Sequence, residues 1–168
     1  MQDPKDPLTW LILGGNLGNV RANLARARAL LATWAGPLVA RSSLYRTAAW
    51  GMADAPDFLN QVVGVRTPLA PGALLRVVQD VEAAAGRTRE EGVRWASRTL
   101  DVDILTYGDR IVRTDTLRVP HVDLPNRRFV LVPLVEVAPG WVHPALKLTA
   151  RALLDRCLDP LTVEKVAD

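Results

Sequence analysis

Residues 98–107 read Arg98-Thr99-Leu100-Asp101-Val102-Asp103-Ile104-Leu105-Thr106-Tyr107. Apolar and acidic residues alternate here with period two, the pattern of a strand whose two faces differ. Leu100, Val102 and Ile104 face one way; Asp101 and Asp103 face the other. Residues 99–107 are therefore predicted to form the last strand of a sheet that has one apolar face and one face carrying paired carboxylates.

Working back from that strand, the earlier elements follow from local pattern. Residues 8–13 form a compact apolar run that stops at Gly14-Gly15-Asn16, a buried strand entering a tight turn. From residue 19 to 34, Val20, Leu24, Ala27, Leu30, Leu31 and Trp34 recur at helical spacing, and Gly36-Pro37 ends the helix. Residues 38–47 predict a second strand and residues 58–67 a third. Residues 71–85 predict a helix with Pro71 in its tolerated first turn. After the strand over 99–107, residues 111–119 predict a short hairpin, and 128–137 and 150–157 predict helices. The order β-α-β-β-α-β is the split-βαβ, or ferredoxin-like, motif. The expected fold is α+β: an antiparallel sheet with helices on one face and short C-terminal additions. Residues 48–57 and 86–97 make connections longer than the usual ~4–6 residues, and such loops often carry function.

The totals bound the rest. A chain of 168 residues suggests one domain, residues 1–168. One cysteine, Cys157, excludes an internal disulfide framework and fits a reducing compartment. Two histidines, His121 and His143, and that one cysteine are too few for a usual structural zinc site. Any metal should be a hard cation held by carboxylates. The apolar run near the start is too short for a signal peptide core or a membrane span, so a cytoplasmic protein without a membrane partner is expected. The formal net charge of +3 is a weak pointer to a polyanion.

The chemistry centres on Asp101 and Asp103. Two neighbouring carboxylates on one strand face repel and are costly to desolvate; a divalent cation resolves both problems. Magnesium suits them, because it takes carboxylate oxygens and leaves positions for water and phosphate. The plain alternative is a solvated or salt-bridged pair. Against that, Arg87, Arg89, Arg94 and Arg98 surround Trp95 just upstream, and arginines beside a metal site are what a polyphosphate needs. Glu90 and Glu91 interrupt that patch. Gly14-Gly15-Asn16-Leu17-Gly18 can bring backbone N–H groups to a ligand. It has neither the dinucleotide-binding spacing nor that of a P-loop. Phe58 with Asn60, and His121 with Asn126, Arg127, Arg128 and Phe129, form further clusters that core packing alone would also explain. No G-x-S-x-G or Cys–His pair suggests acyl transfer.

Arg94-Trp95-Ala96-Ser97-Arg98-Thr99-Leu100-Asp101-Val102-Asp103 closely resembles the signature of the 6-hydroxymethyl-7,8-dihydropterin pyrophosphokinases. So do Leu13-Gly14-Gly15-Asn16-Leu17-Gly18, Ser43-Leu44-Tyr45-Arg46-Thr47, Pro56-Asp57-Phe58-Leu59-Asn60, Glu82 with Gly86-Arg87, Val119-Pro120-His121, and Asn126-Arg127 with Phe129. The resemblance runs in order from about residue 8 to residue 145. It implies the family's ferredoxin-like fold and its reaction, in which the pterin hydroxymethyl oxygen attacks the β-phosphorus of ATP and AMP leaves. It implies that Asp101 and Asp103 bind two Mg²⁺ ions and that Arg87 and Arg98 act in catalysis with them. Gln79, Glu82, Arg87, Arg89, Trp95, Arg98, His121 and Arg127 match ATP-site positions. Phe58 and Phe129 match the pair that sandwiches the pterin, with Thr47, Ala48, Trp50 and Asn60 at its edge. Gly15, Glu90, Ser97 and Val122 depart from the commonest pattern, and none removes a metal ligand.

Two rivals share parts of this pattern. Another Mg²⁺-dependent nucleotidyl or phosphoryl transferase would need Asp101 and Asp103 but no pterin clamp. An RNA-binding module would want aromatics on its central strands, where this chain has acidic residues that repel phosphate; no nucleic-acid partner is expected. ATP and the pterin are the expected partners of a monomer, with a homodimer left open.

Overall fold

The computed structural model describes residues 5–49, 55–85 and 99–168. Its elements in chain order are β1 (Leu8–Gly15), α1 (Val20–Trp34), β2 (Leu38–Arg41), β3 (Leu44–Thr47), β4 (Phe58–Arg66), α2 (Pro71–Ala84) and β5 (Asp101–Ile104). A small β6–β7 pair (Val112–Arg113, Arg118–Val119), a short 3-10 helix (Leu124–Asn126), α3 (Arg128–Val137), α4 (Ala150–Arg156) and β8 (Glu164–Val166) complete them. One six-stranded sheet runs β5-β1-β4-β3-β8, with β2 also paired to β4, and every pairing in it is antiparallel.

Two of the helix starts follow from the local sequence. Asn19 accepts the N–H of Ala22 at 3.1 Å to open α1, and Pro71 occupies the first turn of α2. Leu24, Ala27 and Leu31 of α1 and Leu74, Val78 and Val81 of α2 bury against Leu11, Leu13, Val63, Val65, Val102 and Ile104. Each such fully buried leucine, isoleucine or valine contributes about 1.5–3 kcal/mol relative to exposure.

The sheet is covered on both faces, not one. β1 and β4 are apolar on alternate positions as well: Trp10, Ile12 and Val62 face away from α1 and α2. They pack against Leu124, Val130, Leu131 and Leu134 of the α3 region and Leu153 of α4. Gly64 makes room for Trp10 on that face; a Cβ there would lie 2.7 Å from its indole. A strand buried on both sides reads as a continuous apolar run, and such a run does not reveal that two layers cover it.

The predicted strand over 38–47 is two strands. Ser42 interrupts it by folding its hydroxyl into the ladder: Ser42 Oγ accepts the N–H of Val62 at 3.0 Å, while Ser42 N–H donates to Val62 O at 2.8 Å. The strand predicted over 99–107 is regular only at Asp101–Ile104. Beyond it, the N–H groups of Leu105 and Thr106 both donate to Trp10 O, which ends the regular register with β1. The C-terminal strand β8, absent from the sequence reading, pairs with β3 through Leu44–Val166 and Arg46–Glu164.

Candidate active site

Four neighbouring strands put the candidate residues in one row. Gly14 of β1 is paired with Asp101 of β5 on one side and with Asn60 of β4 on the other, and Asn60 is paired with Tyr45 of β3. Directly opposed residues share a face, so Asp101, Asn60 and Tyr45 project from the same side. Asp103, opposite Ile12, and Thr47, opposite Phe58, lie on that side too. It is the face that α3 covers farther along the strands. At ~4.8 Å per strand, the Asp101 and Asn60 backbones stand roughly 10 Å apart. Gly14 keeps the space between them open. A Cβ on it would collide with Asn60 Oδ1.

The acidic end is held from behind. Asp103 is exposed and Asp101 half-buried, while Val102 between them points into the core. β5 is an edge strand, so its outer N–H groups need other acceptors. The buried carboxylate of Glu82, on α2, accepts the Val102 N–H at 3.1 Å. Glu82 thus fixes the strand that carries both aspartates. Gln79 lies one turn earlier on α2 with its side chain exposed. Two carboxylates alternating on one strand face are hard oxygen donors able to hold a magnesium ion that keeps water and phosphate as its other ligands. Among the described residues no cluster of three or more His, Cys, Asp or Glu could cage a metal by itself.

His121 follows the β6–β7 pair, and its backbone N–H donates to Leu105 O at 2.8 Å, which sets it beside the end of β5. Its Nδ1 accepts the N–H of Asp123 at 3.1 Å, so in the neutral ring the proton sits on Nε2, a donor suited to a phosphate oxygen. Arg127 is half exposed and lies 3.8 Å from Asp123.

The other end of the row is amide and aromatic. Asn60, buried, donates from Nδ2 to Thr47 Oγ1 at 3.4 Å. Phe58 opens β4 opposite Thr47, and Phe129 sits in the first turn of α3; both are half-buried. Ala48 follows Thr47 and is exposed. Asn16, buried at the end of β1, donates to Pro56 O at 3.0 Å and so ties the turn after β1 to the segment entering Phe58. The sequence shows an asparagine after two glycines there, with no sign of its distant partner.

Trp50, Arg87, Arg89, Arg94, Trp95 and Arg98, with the loop over 86–97, lie outside the described residues. Asp159 is a site neighbour that sequence reasoning did not find: Asp159 Oδ2 accepts the N–H of Arg128 at 3.0 Å. Among the described residues no helix is long and apolar enough to cross a membrane.

Residues 10–139 match the family model described as 7,8-dihydro-6-hydroxymethylpterin-pyrophosphokinase (HPPK). The chain is 44% identical over 145 residues to the 2-amino-4-hydroxy-6-hydroxymethyldihydropteridine pyrophosphokinase of Synechocystis sp., covering 86% of this chain and 73% of that one. It is also 44% identical to the enzyme of the same name from Methylorubrum extorquens, over 94% of this chain and 97% of that one. Its fold resembles the crystal structure of Plasmodium falciparum HPPK-DHPS with pteroate, at a TM-score of 0.73 and 16% identity. That match covers 92% of this chain but 45% of the Plasmodium chain, so this chain spans less than half of that protein.

Proposed function

This chain belongs to the 7,8-dihydro-6-hydroxymethylpterin-pyrophosphokinase family, and from that membership we infer that it transfers the pyrophosphoryl group of ATP to 6-hydroxymethyl-7,8-dihydropterin in folate biosynthesis. The hydroxymethyl oxygen attacks the β-phosphorus, the bond from that phosphorus to the oxygen bridging the α-phosphate breaks, and AMP leaves. The observation that supports the reading beside that membership is the row Asp101–Gly14–Asn60, which sets a carboxylate pair and a buried amide on one sheet face with a glycine between them.

In this reading Asp101 and Asp103 would hold two magnesium ions, which when bound supply charge neutralisation at the phosphates. Glu82 and Gln79 line the nucleotide side, with His121 donating from Nε2 and Arg127 from its guanidinium to phosphate oxygens. Arg87, Arg89, Trp95 and Arg98 are assigned to the same side from sequence. Phe58 and Phe129 stack on the pterin. Asn60 and Thr47 bond its edge, with Ala48 and Trp50 beside them. Such transfer depends on alignment and charge more than on covalent help from the protein, and this division of labour supplies both. The strand order β5-β1-β4 followed by the β2–β3 edge supports a ferredoxin-like core, and residues 1–168 are taken as one cytoplasmic domain.

Product analysis tests the reaction. Purified protein with MgATP and the pterin alcohol is expected to release AMP in step with pterin diphosphate. ADP in place of AMP would mean single phosphoryl transfer, and no pterin-dependent turnover would overturn the assignment.

A further inference from the structure

Helix α3 carries Phe129 in its first turn, yet Arg127 at its N-cap supplies no side-chain cap. A helix start leaves N–H groups without intrahelical partners, and carboxylates are favoured there. The acceptor comes from 31 residues downstream. Asp159 Oδ2 accepts the Arg128 N–H at 3.0 Å, and Asp159 Oδ1 accepts the Leu161 N–H at 3.0 Å. One carboxylate thus clamps the residue before Phe129 to the segment that follows α4.

That segment also reaches the site strands. Asp159, Leu161 and Thr162 line a cavity of about 470 Å³ together with Thr47, Ala48 and Asp57. Next along the chain, β8 pairs with β3, the strand that ends at Thr47. The C-terminal segment therefore touches both walls of the aromatic and amide end of the row, although it lies beyond the residues 10–139 that match the family.

We propose that Asp159 is a positioning residue for pterin binding, which sets the start of α3 and thereby the ring of Phe129 against the face carrying Asn60 and Thr47. The proposal rests on the reading of Phe129 as a pterin-stacking residue. Its effect falls more on the pterin than on the nucleotide, because β5 and the Glu82 contact that hold the acidic end do not involve this segment, and Arg127 beside Arg128 is the one nucleotide-side residue that the clamp adjoins. An asparagine has one oxygen and can keep only one of the two accepted bonds, so Asp159→Asn should fall between wild type and Asp159→Ala.

The experiment measures KM for each substrate, kcat, pterin affinity by calorimetry and melting temperature for Asp159→Ala, Asp159→Asn, Phe129→Ala and the double variant Asp159→Ala/Phe129→Ala. Asp159→Ala is expected to raise the pterin KM and Kd by about tenfold while the ATP KM rises by a clearly smaller factor, the pattern of binding lost mainly at one substrate. Asp159→Asn should show a smaller rise, and Asp159→Ala should add little once Phe129 is already alanine. A lowered melting temperature with unchanged pterin KM, in either Asp159 variant, would reduce Asp159 to a structural cap and overturn the proposal. If Phe129→Ala itself leaves pterin affinity unchanged, the stacking reading fails instead, which separates the two. If Asp159→Ala does not fold, the Asp159→Asn values decide by the same criteria.

Discussion

The carboxylate of Glu82 accepts the backbone N–H of Val102 at 3.1 Å, and Val102 is the residue between the two aspartates. The bond replaces the strand neighbour that an edge strand lacks. Glu82→Ala would leave a buried N–H without that acceptor, a loss of about 1.5–3 kcal/mol for a bond to a charged group. At roughly 2–4 °C per kcal/mol for a chain of this size, the melting temperature should fall by about 3–12 °C. Because the aspartates shift with the strand, kcat should fall about 10- to 100-fold. Glu82→Gln keeps an oxygen for the N–H and should recover most of the melting temperature. Thermal unfolding and steady-state kinetics on both variants check this; full kcat in Glu82→Ala would show that the strand is held by other means.

Gly14 lies between Asn60 and Asp101, and its missing side chain leaves room for the Asn60 amide. Gly14→Ala would drive a methyl into Asn60 Oδ1, and overpacking of that kind costs about 1–3 kcal/mol. The pterin KM should rise about tenfold as Asn60 is displaced, with the ATP KM little changed. Adding Asn60→Ala should relieve the clash, so the stabilities of the two single variants should fail to add by about 0.5 kcal/mol or more. Strict additivity in a denaturant-unfolding cycle would contradict the contact.

The shared face of Asp101 and Asp103 was legible because it is local: the alternation at residues 100–104 places both aspartates on one face before any partner is known. Helix α1 was legible for the same reason, although its cap by Asn19 shows only in the structure. What stayed hidden depends on distant partners. The break at Ser42 arises because its hydroxyl takes a ladder position opposite Val62, and nothing in the run of residues 38–47 announces that. Strand β8 exists because β3 offers it an edge. Trp10 and Ile12 alternate with Leu11 and Leu13 as equally apolar residues, so a second helical layer could not be read from them. Asp159 caps a helix that begins 31 residues earlier, outside any local pattern.

Asp103 is exposed on the open face, so its removal should affect chemistry far more than folding. Asp103→Asn is expected to change the melting temperature by no more than about 2 °C, as surface substitutions usually do. A metal ligand's charge stabilisation is worth several kcal/mol, so kcat should fall about 100- to 1000-fold. Asp101→Asn should lose a similar factor. In wild type, chelation of divalent cations should abolish turnover and added magnesium should restore it. Turnover that persists in both variants would remove the carboxylate pair from the reaction.

The face opposite α1 and α2 is also tied together by ionisable groups, and its stability should therefore vary with pH. Glu136 of α3 accepts from both the N–H and the hydroxyl of Ser43, each at 2.7 Å, and Lys165 of β8 lies 3.4 Å away. Burial pushes the Glu136 carboxyl up, but the bonds from Ser43, Lys165 and Tyr45 outweigh it and hold it below the usual 4.5. Tyr45 is pushed up to about 12, first by burial and then by the Glu136 charge and their hydrogen bond. A lowered folded-state value contributes stability that is present above the unfolded value near 4.5 and is lost as pH falls through the folded one. A raised value contributes stability that is present below 10.0 and is lost as pH rises through about 12. Melting temperature against pH should therefore fall at both ends, with Glu136→Gln flattening the acid limb and Tyr45→Phe the alkaline one. Tyr45→Phe should leave the acid limb largely in place, since Ser43 and Lys165 still hold Glu136; if it removes that limb, the tyrosine and not the Ser43 pair sets the carboxylate's acidity.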